Sequence, residues 1–289
     1  MVLSYSQSSN SPATLIIMPA HNEAANLPEV LAEISRHAPE YQVLVVDDAS
    51  EDDTPTVAAR LGARVVSLSC NLGYGGALQT GFKYAVENGY TSVVLLDADG
   101  QHDPRCIPDL VGPVIAGEAD VVVGSRFLGE MRYSAAWPKR LGMAIFGAIA
   151  GRVTRRKITD ATSGYQALGR GAVCFFAKGN YPADYPDADT LLTLHYAGFR
   201  VIEVPVCMRG RIAGVSMHSS WKIVYYIFKM FLSILVIMLR QRMARPSCDE
   251  AETGAPTTVP AGRADGVECA VDRSRGLVPC RTRPAACKG

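Results

Sequence analysis

Short apolar runs at 14–18 (Thr-Leu-Ile-Ile-Met), 43–46 (Val-Leu-Val-Val), 64–68, 93–96 and 120–124 alternate with longer amphipathic stretches, and a further run follows at 201–207. Runs this short and this apolar read as strands covered on both faces, which calls for crossover helices and a parallel sheet. The expected fold class is α/β, a mainly parallel sheet flanked by helices. One helix is expected after Asn26, where Glu29 completes a variant capping box and Pro28 sits in the first turn. A second starts near Asp53-Thr54-Pro55, and a third follows the glycine-rich loop Gly73-Tyr74-Gly75-Gly76.

In open α/β sheets ligands collect at the carboxyl ends of the strands. Here the first, second and fourth runs end in Pro19-Ala20-His21-Asn22-Glu23, Asp47-Asp48-Ala49-Ser50 and Asp97-Ala98-Asp99. Three polar, carboxylate-bearing loops would therefore meet on one edge. An isolated Asp-x-Asp can simply solvate a turn. Delivered by a buried strand into a loop with Gly100, it is also suited to a hard cation that acts as a Lewis acid toward a diphosphate. A dinucleotide-binding fingerprint would need its glycines directly after the first strand, and there are none there. The later Gly73 loop reads equally as a plain turn or as a close backbone approach to a nucleotide.

With 289 residues, 48% of them hydrophobic, the chain can bury a sizeable core. Its net charge of +1 conceals an asymmetry: no acid lies between Trp137 and Lys157 or between Val204 and Arg245, which carry six and seven Lys or Arg. Zinc-finger spacing and aromatic RNA-binding signatures are missing, so nucleic acid is not expected; a membrane surface or an anionic substrate fits better. The eight cysteines form no C-x-x-C pair and read as reduced packing residues. The Ser-rich first residues lack the character of a signal peptide, so the catalytic part is expected to stay in the cytoplasm.

The second half reads as a helix over 137–157, a polar turn from Thr159 to Tyr165, and a helix over 187–198. Residues 223–239 are apolar except for Lys229 and Ser233. As a helix they would cover about 25 Å, short of a hydrocarbon core of about 30 Å. Lys222 and Lys229 share a face, which favours an amphipathic helix in the membrane interface or docked on a membrane partner; a buried helix packed on the sheet is the alternative. The expected organisation is a flexible terminus at 1–12, a catalytic domain at 13–218, an interfacial helix at 219–243 and a disordered tail at 244–289.

Taken in order, Pro19 to Glu23, Val46 to Ser50, Asn71-Leu72-Gly73, Asp97 to His102 and Gly124-Ser125-Arg126 resemble the inverting glycosyltransferases of family 2, which have a GT-A fold. Asp160-x-x-Ser163-Gly164-Tyr165, Glu203-Val204-Pro205-Val206 and Arg211-x-x-Gly214-x-Ser216 are similar to the branch that makes dolichol-phosphate mannose and bacterial polyprenyl-phosphate hexoses. The resemblance spans about Thr14 to Leu239. It implies a Rossmann-like, mixed but mainly parallel sheet. It also implies a nucleotide-sugar pocket of Pro19, His21, Glu23, Asp47, Asp48, Gly73, Asp97, Ala98 and Asp99. Mg2+ or Mn2+ would be held by Asp97, Asp99 and Gln101. Arg126, Arg140, Ser163 and Arg211 would receive an acceptor phosphate, and Asp97, Asp99, Arg126, Arg140 and Arg211 would carry the chemistry. Relatives often have Lys where this chain has Met217; Arg209 or His218 would then substitute.

The implied reaction moves a hexose, mannose or glucose, from GDP-mannose or a UDP-hexose to a polyprenyl phosphate, for cell-envelope glycans, at the cytoplasmic face of a membrane, with a small membrane-protein subunit as a conceivable partner. A phosphomonoester with its second pKa near ~6 is already ionised at pH 7 and needs no general base. Arginine forks and a metal would instead hold two anions together. Two alternatives stand beside this reading. A family 2 enzyme acting on a saccharide hydroxyl would use Asp160, Asp187 or Asp189 as base. A silent nucleotide-sugar-binding scaffold would need no turnover.

Overall fold

A computed structural model describes residues 14–128, 151, 158–182 and 188–209. The expected helix over 137–157 apart from residue 151, the interfacial helix, both chain ends, Arg140, Asp187, Arg211 and His218 lie outside the described residues.

The elements run β1 (Thr14–Ala20), α1 (Leu27–His37), β2 (Gln42–Asp47), α2 (Thr54–Arg60), β3 (Arg64–Ser67), α3 (Gly73–Glu87), β4 (Ser92–Leu95), α4 (Ile107–Ile115), β5 (Val121–Ser125), β6 (Gln166–Gly169), α5 (Arg170–Phe175), α6 (Ala188–Tyr196) and β7 (Val201–Pro205). One sheet of seven strands results, in the order β3-β2-β1-β4-β6-β5-β7. Strands β1 to β4 pair in parallel around β1, with Ile17 opposite both Leu44 and Leu95. β5 and β7 are parallel to each other, and β6 runs antiparallel between β4 and β5.

Strand β1 shows why the apolar runs are continuous. Leu15 and Ile17 face one layer with Phe82, Phe175 and Phe176, while Ile16 and Met18 face another with Leu31, Ile107 and Leu110. All of these side chains are buried, as a strand covered on both faces requires. α3 lies so close to β1 that a Cβ on Gly81 would sit 2.5 Å from Ile17 Cγ2.

Two sequence expectations are corrected and one element is added. The strand β6 was not foreseen. The capping box does not form: Asn26 is helical in backbone and caps nothing with its side chain, and its Nδ2 donates to Glu23 Oε2 instead (2.6 Å). Cys70, Cys106 and Cys207 are free thiols, whereas Cys174 is disulfide-bonded. Among the described residues no helix is long and apolar enough to cross a membrane.

Candidate active site

Strand order reverses at β1, with β2 on one side and β4 on the other, and the carboxyl ends of all three strands open on one edge. The register sets Ala20 beside Asp47, and the Asp48 N–H extends that ladder by donating to Ala20 O (2.8 Å). Immediately past the two strands, Asn22 (φ 58°) and Ala49 (φ 54°) adopt left-handed backbone, which costs a non-glycine residue energy and tends to occur where a chain must turn sharply at a site.

The first two loops lock together. His21 Nδ1 lies 2.8 Å from Asp48 O, so Nδ1 carries the proton and donates it; Nε2 is then the acceptor for Asn22 Nδ2 at 3.2 Å. Asn22 N donates to Ser50 Oγ, and Glu51 N to Asn22 Oδ1. Glu23 N donates to Thr54 Oγ1, and that hydroxyl also bonds the carboxylate of Asp52. Pro19 is half-buried in β1, opposite Val46.

Asp47 and Asp48 are both buried. Asp47 Oδ1 accepts from Ser50 N (3.0 Å), closing its own turn. Asp48 reaches across to α3, where its two oxygens accept the N–H groups of Leu72 (2.7 Å) and Gly73 (2.9 Å). A carboxylate there satisfies donors that the first turn leaves open and matches the helix dipole. Gly73 has φ 81°, a backbone angle that favours glycine.

The third loop follows β4. The Asp97 side chain is 31% exposed, whereas Asp99 is buried at 6%. Gly100 turns the chain at φ 77°, and Gln101 N donates back to Asp99 Oδ1 (3.0 Å). Ala98 is buried in the layer with Leu96 and Val206. Tyr74 of α3 donates its hydroxyl to Asp97 Oδ1 (2.9 Å). Asp97, Asp99 and Gln101 bring carboxylate and amide oxygens, the hard donors that Mg2+ or Mn2+ prefers, to this one loop. Among the described residues no three His, Cys, Asp or Glu side chains gather into a metal cage. Two carboxylates with room for substrate phosphates are a familiar way to bind Mg2+.

Beyond the loop, Asp103 is held by Arg105 and by Arg209 Nη2 (3.1 Å). Burial pushes its carboxyl up, but the Arg105 bonds and the charges of both arginines pull it down to about 2. Arg209, which the sequence suggested as a substitute for the missing lysine, donates from Nη1 to Glu33 of α1 (2.7 Å) and from its backbone to Gln101 O (2.8 Å).

At the end of β5, Arg126 is buried against Asp160: Nε and Nη2 each reach a carboxylate oxygen at 2.6 Å, and Nη2 also reaches Thr162 Oγ1. Glu203 of β7 secures the same loop by accepting from Thr159 N, Thr159 Oγ1 and Asp160 N. Ser163 is buried, and its carbonyl accepts from Gln166 Nε2. Sequence reasoning did not assign roles to Tyr74, His102, Tyr165 or Glu203. All four stood in runs singled out in the sequence, but Tyr74, Tyr165 and Glu203 have partners 23 or more residues away.

Comparison with known proteins gives a consistent picture. The family model "Glycosyl transferase family 2" matches residues 15–175. Polyprenol monophosphomannose synthase of Mycolicibacterium smegmatis is 31% identical over 240 residues, 75% of this chain and 84% of that protein. Undecaprenyl-phosphate mannosyltransferase of Micrococcus luteus is 33% identical over 217 residues, 71% and 87% of the respective chains. Among solved structures, glucosyl-3-phosphoglycerate synthase of Mycobacterium tuberculosis, in complex with Mn2+ and UDP-glucose, has the same fold with a TM-score of 0.57 at 22% identity, over 78% of this chain and 79% of that one.

Proposed function

This chain belongs to glycosyl transferase family 2 and is a glycosyltransferase; on that premise we propose that it moves a hexose, mannose or glucose, from GDP-mannose or a UDP-hexose to a polyprenyl phosphate, with inversion at the anomeric carbon. The observation that carries this reading is its likeness, over most of their length, to the two enzymes named for polyprenyl-linked mannose.

Asp97, Asp99 and Gln101 would hold Mg2+ or Mn2+, and when bound the ion would supply Lewis-acid stabilisation to the departing diphosphate. The first two strand-end loops, with Pro19, His21, Glu23, Asp47 and Asp48, would form the nucleotide pocket; Asp48 contributes by fixing the start of α3, with Gly73 at the turn. An acceptor phosphate oxygen would attack the anomeric carbon as the bond to the diphosphate breaks, releasing the nucleoside diphosphate. No proton has to be removed from an ionised phosphate, and this suits a site where Asp160 has both oxygens on Arg126. A saccharide hydroxyl would need a free carboxylate in its place.

Arg140, Arg211 and Ser163 are assigned to the acceptor phosphate. Arg126 shares that assignment through its buried pair, which shapes the wall beside it. The exposed Phe127 and Leu128, just beyond β5, and Leu72, at the start of α3, give the same edge an apolar rim suited to a lipid substrate. Residues 219–243 would rest on the cytoplasmic face of the membrane or on a small membrane subunit, and the tail beyond them would be disordered.

The test is a donor screen. GDP-mannose, UDP-glucose and related donors, labelled in the sugar, are incubated with undecaprenyl phosphate and Mg2+ or Mn2+. One donor should give label in the organic phase, and chelation should abolish it. Label passing only to soluble saccharides would overturn the assignment.

A further inference from the structure

The carboxylate of Asp97 receives one hydrogen bond and one longer approach. Tyr74, on the first turn of α3, donates its hydroxyl to Oδ1 at 2.9 Å. His102 Nε2 stands 3.7 Å from Oδ2. The histidine proton can be placed from its other nitrogen: His102 Nδ1 accepts the backbone N–H of Asp97 (3.1 Å). A nitrogen that accepts carries no proton, which leaves the ring N–H on Nε2, the nitrogen nearer the carboxylate, at a separation longer than a hydrogen bond.

The ring is held firmly. It is buried, and it stacks on Tyr165 at 4.6 Å between centroids and 6° between planes. Tyr165 is anchored in turn by its hydroxyl, which donates to Asp103 O (2.9 Å). The backbone of His102 bridges to Met208, and its neighbour Gln101 accepts from Arg209 N. Tyr74 is steadied because Asp48 holds the two preceding N–H groups.

We propose that Tyr74 and His102 are positioning residues that orient the Asp97 carboxylate for a divalent cation and thereby set its affinity. The proposal rests on the reading of Asp97 as a metal ligand. Outer donors fix which lone pairs a carboxylate turns toward an ion, and removing one typically weakens binding roughly 10- to 100-fold. Tyr74 holds the carboxylate through an uncharged hydroxyl, without competing with a cation for its charge as an arginine or lysine would, while His102 holds the Asp97 backbone through Nδ1.

The experiment uses full-length protein and follows the loss of the free Mn2+ signal by electron paramagnetic resonance, with GDP or UDP present. Wild type is compared with Tyr74→Phe, His102→Phe and His102→Asn. Phenylalanine at 102 keeps the stack on Tyr165 but removes both ring nitrogens. Asparagine can still accept the Asp97 N–H but cannot reach Oδ2. Tyr74→Phe and His102→Phe should each weaken Mn2+ binding roughly tenfold. The metal concentration for half-maximal transfer should rise in parallel, while kcat at saturating metal falls much less. His102→Asn should melt like wild type yet still bind the metal weakly.

Wild-type Mn2+ affinity in Tyr74→Phe and His102→Asn would overturn the positioning roles while leaving the metal site intact. If wild type took up no Mn2+ with either nucleotide, the metal reading would fall, and the positioning roles with it.

Discussion

Asp99 is the residue whose charge the account needs most. It is buried, and its Oδ1 already accepts the Gln101 N–H, so Asp99→Asn preserves size and an acceptor oxygen while removing the negative charge. Transfer rates at saturating donor and metal should fall on the order of 10²-fold or more, with little change in melting temperature. Asp103, four residues on, contributes to stability instead. Its folded carboxyl sits at about 2, below the ordinary 3.8, because the arginine contacts outweigh its burial. The sign follows from linkage: the contribution is complete above about pH 4 and is lost as pH falls through about 2. Asp103→Asn should therefore lower the melting temperature near neutral pH. The difference from wild type should shrink steadily between pH 4 and pH 2 in a series of thermal melts.

At the scale of elements, the strands bearing the site were legible because each apolar run stops where its carboxylates begin: Val46 before Asp47, Leu96 before Asp97. β6 was not, because Gln166-Ala167-Leu168-Gly169 offers two apolar residues with Ala and Leu side by side and no alternation to read. It becomes a strand only by filling the gap between β4 and β5. The same limit hid the links from Tyr74 to Asp97 and from Tyr165 to Asp103, since contacts across 23 and 62 residues leave no local periodicity. The pairing of Arg126 with Asp160 was equally invisible, although both residues stood out as motif members. Two element-level consequences are measurable. Gly81→Ala would drive a methyl into Ile17 and should destabilise the fold by about 1–3 kcal/mol in denaturant melts, through crowding of α3 against β1. Glu203→Ala would strip the backbone N–H groups of Thr159 and Asp160 of their acceptor. The expected loss is about 1–3 kcal/mol, with faster amide hydrogen exchange at 159–160 as a local signature.

On the scale of the whole molecule, the fold gathers acids from one flank of the sheet and bases from the other onto one edge, because all these strands run the same way. β1, β2 and β4 deliver the carboxylates, while β5 and β7 lead into Arg126 and Arg209, both engaged in ion pairs with acids of the same region. The acid-free stretches that follow β5 and β7 in the sequence carry Arg140 and Arg211. Under the proposed function, the described part of this edge would meet an anionic donor and an anionic acceptor together, which is the demand of sugar transfer to a phosphate. The most direct measurement is the structure of the product. With an α-linked nucleotide sugar and undecaprenyl phosphate, nuclear magnetic resonance of the purified lipid should show the sugar joined to phosphate in the β configuration, formed only when Mg2+ or Mn2+ is present. An α-linked lipid product, or a sugar attached to a hydroxyl of a soluble saccharide with no lipid product, would contradict the account.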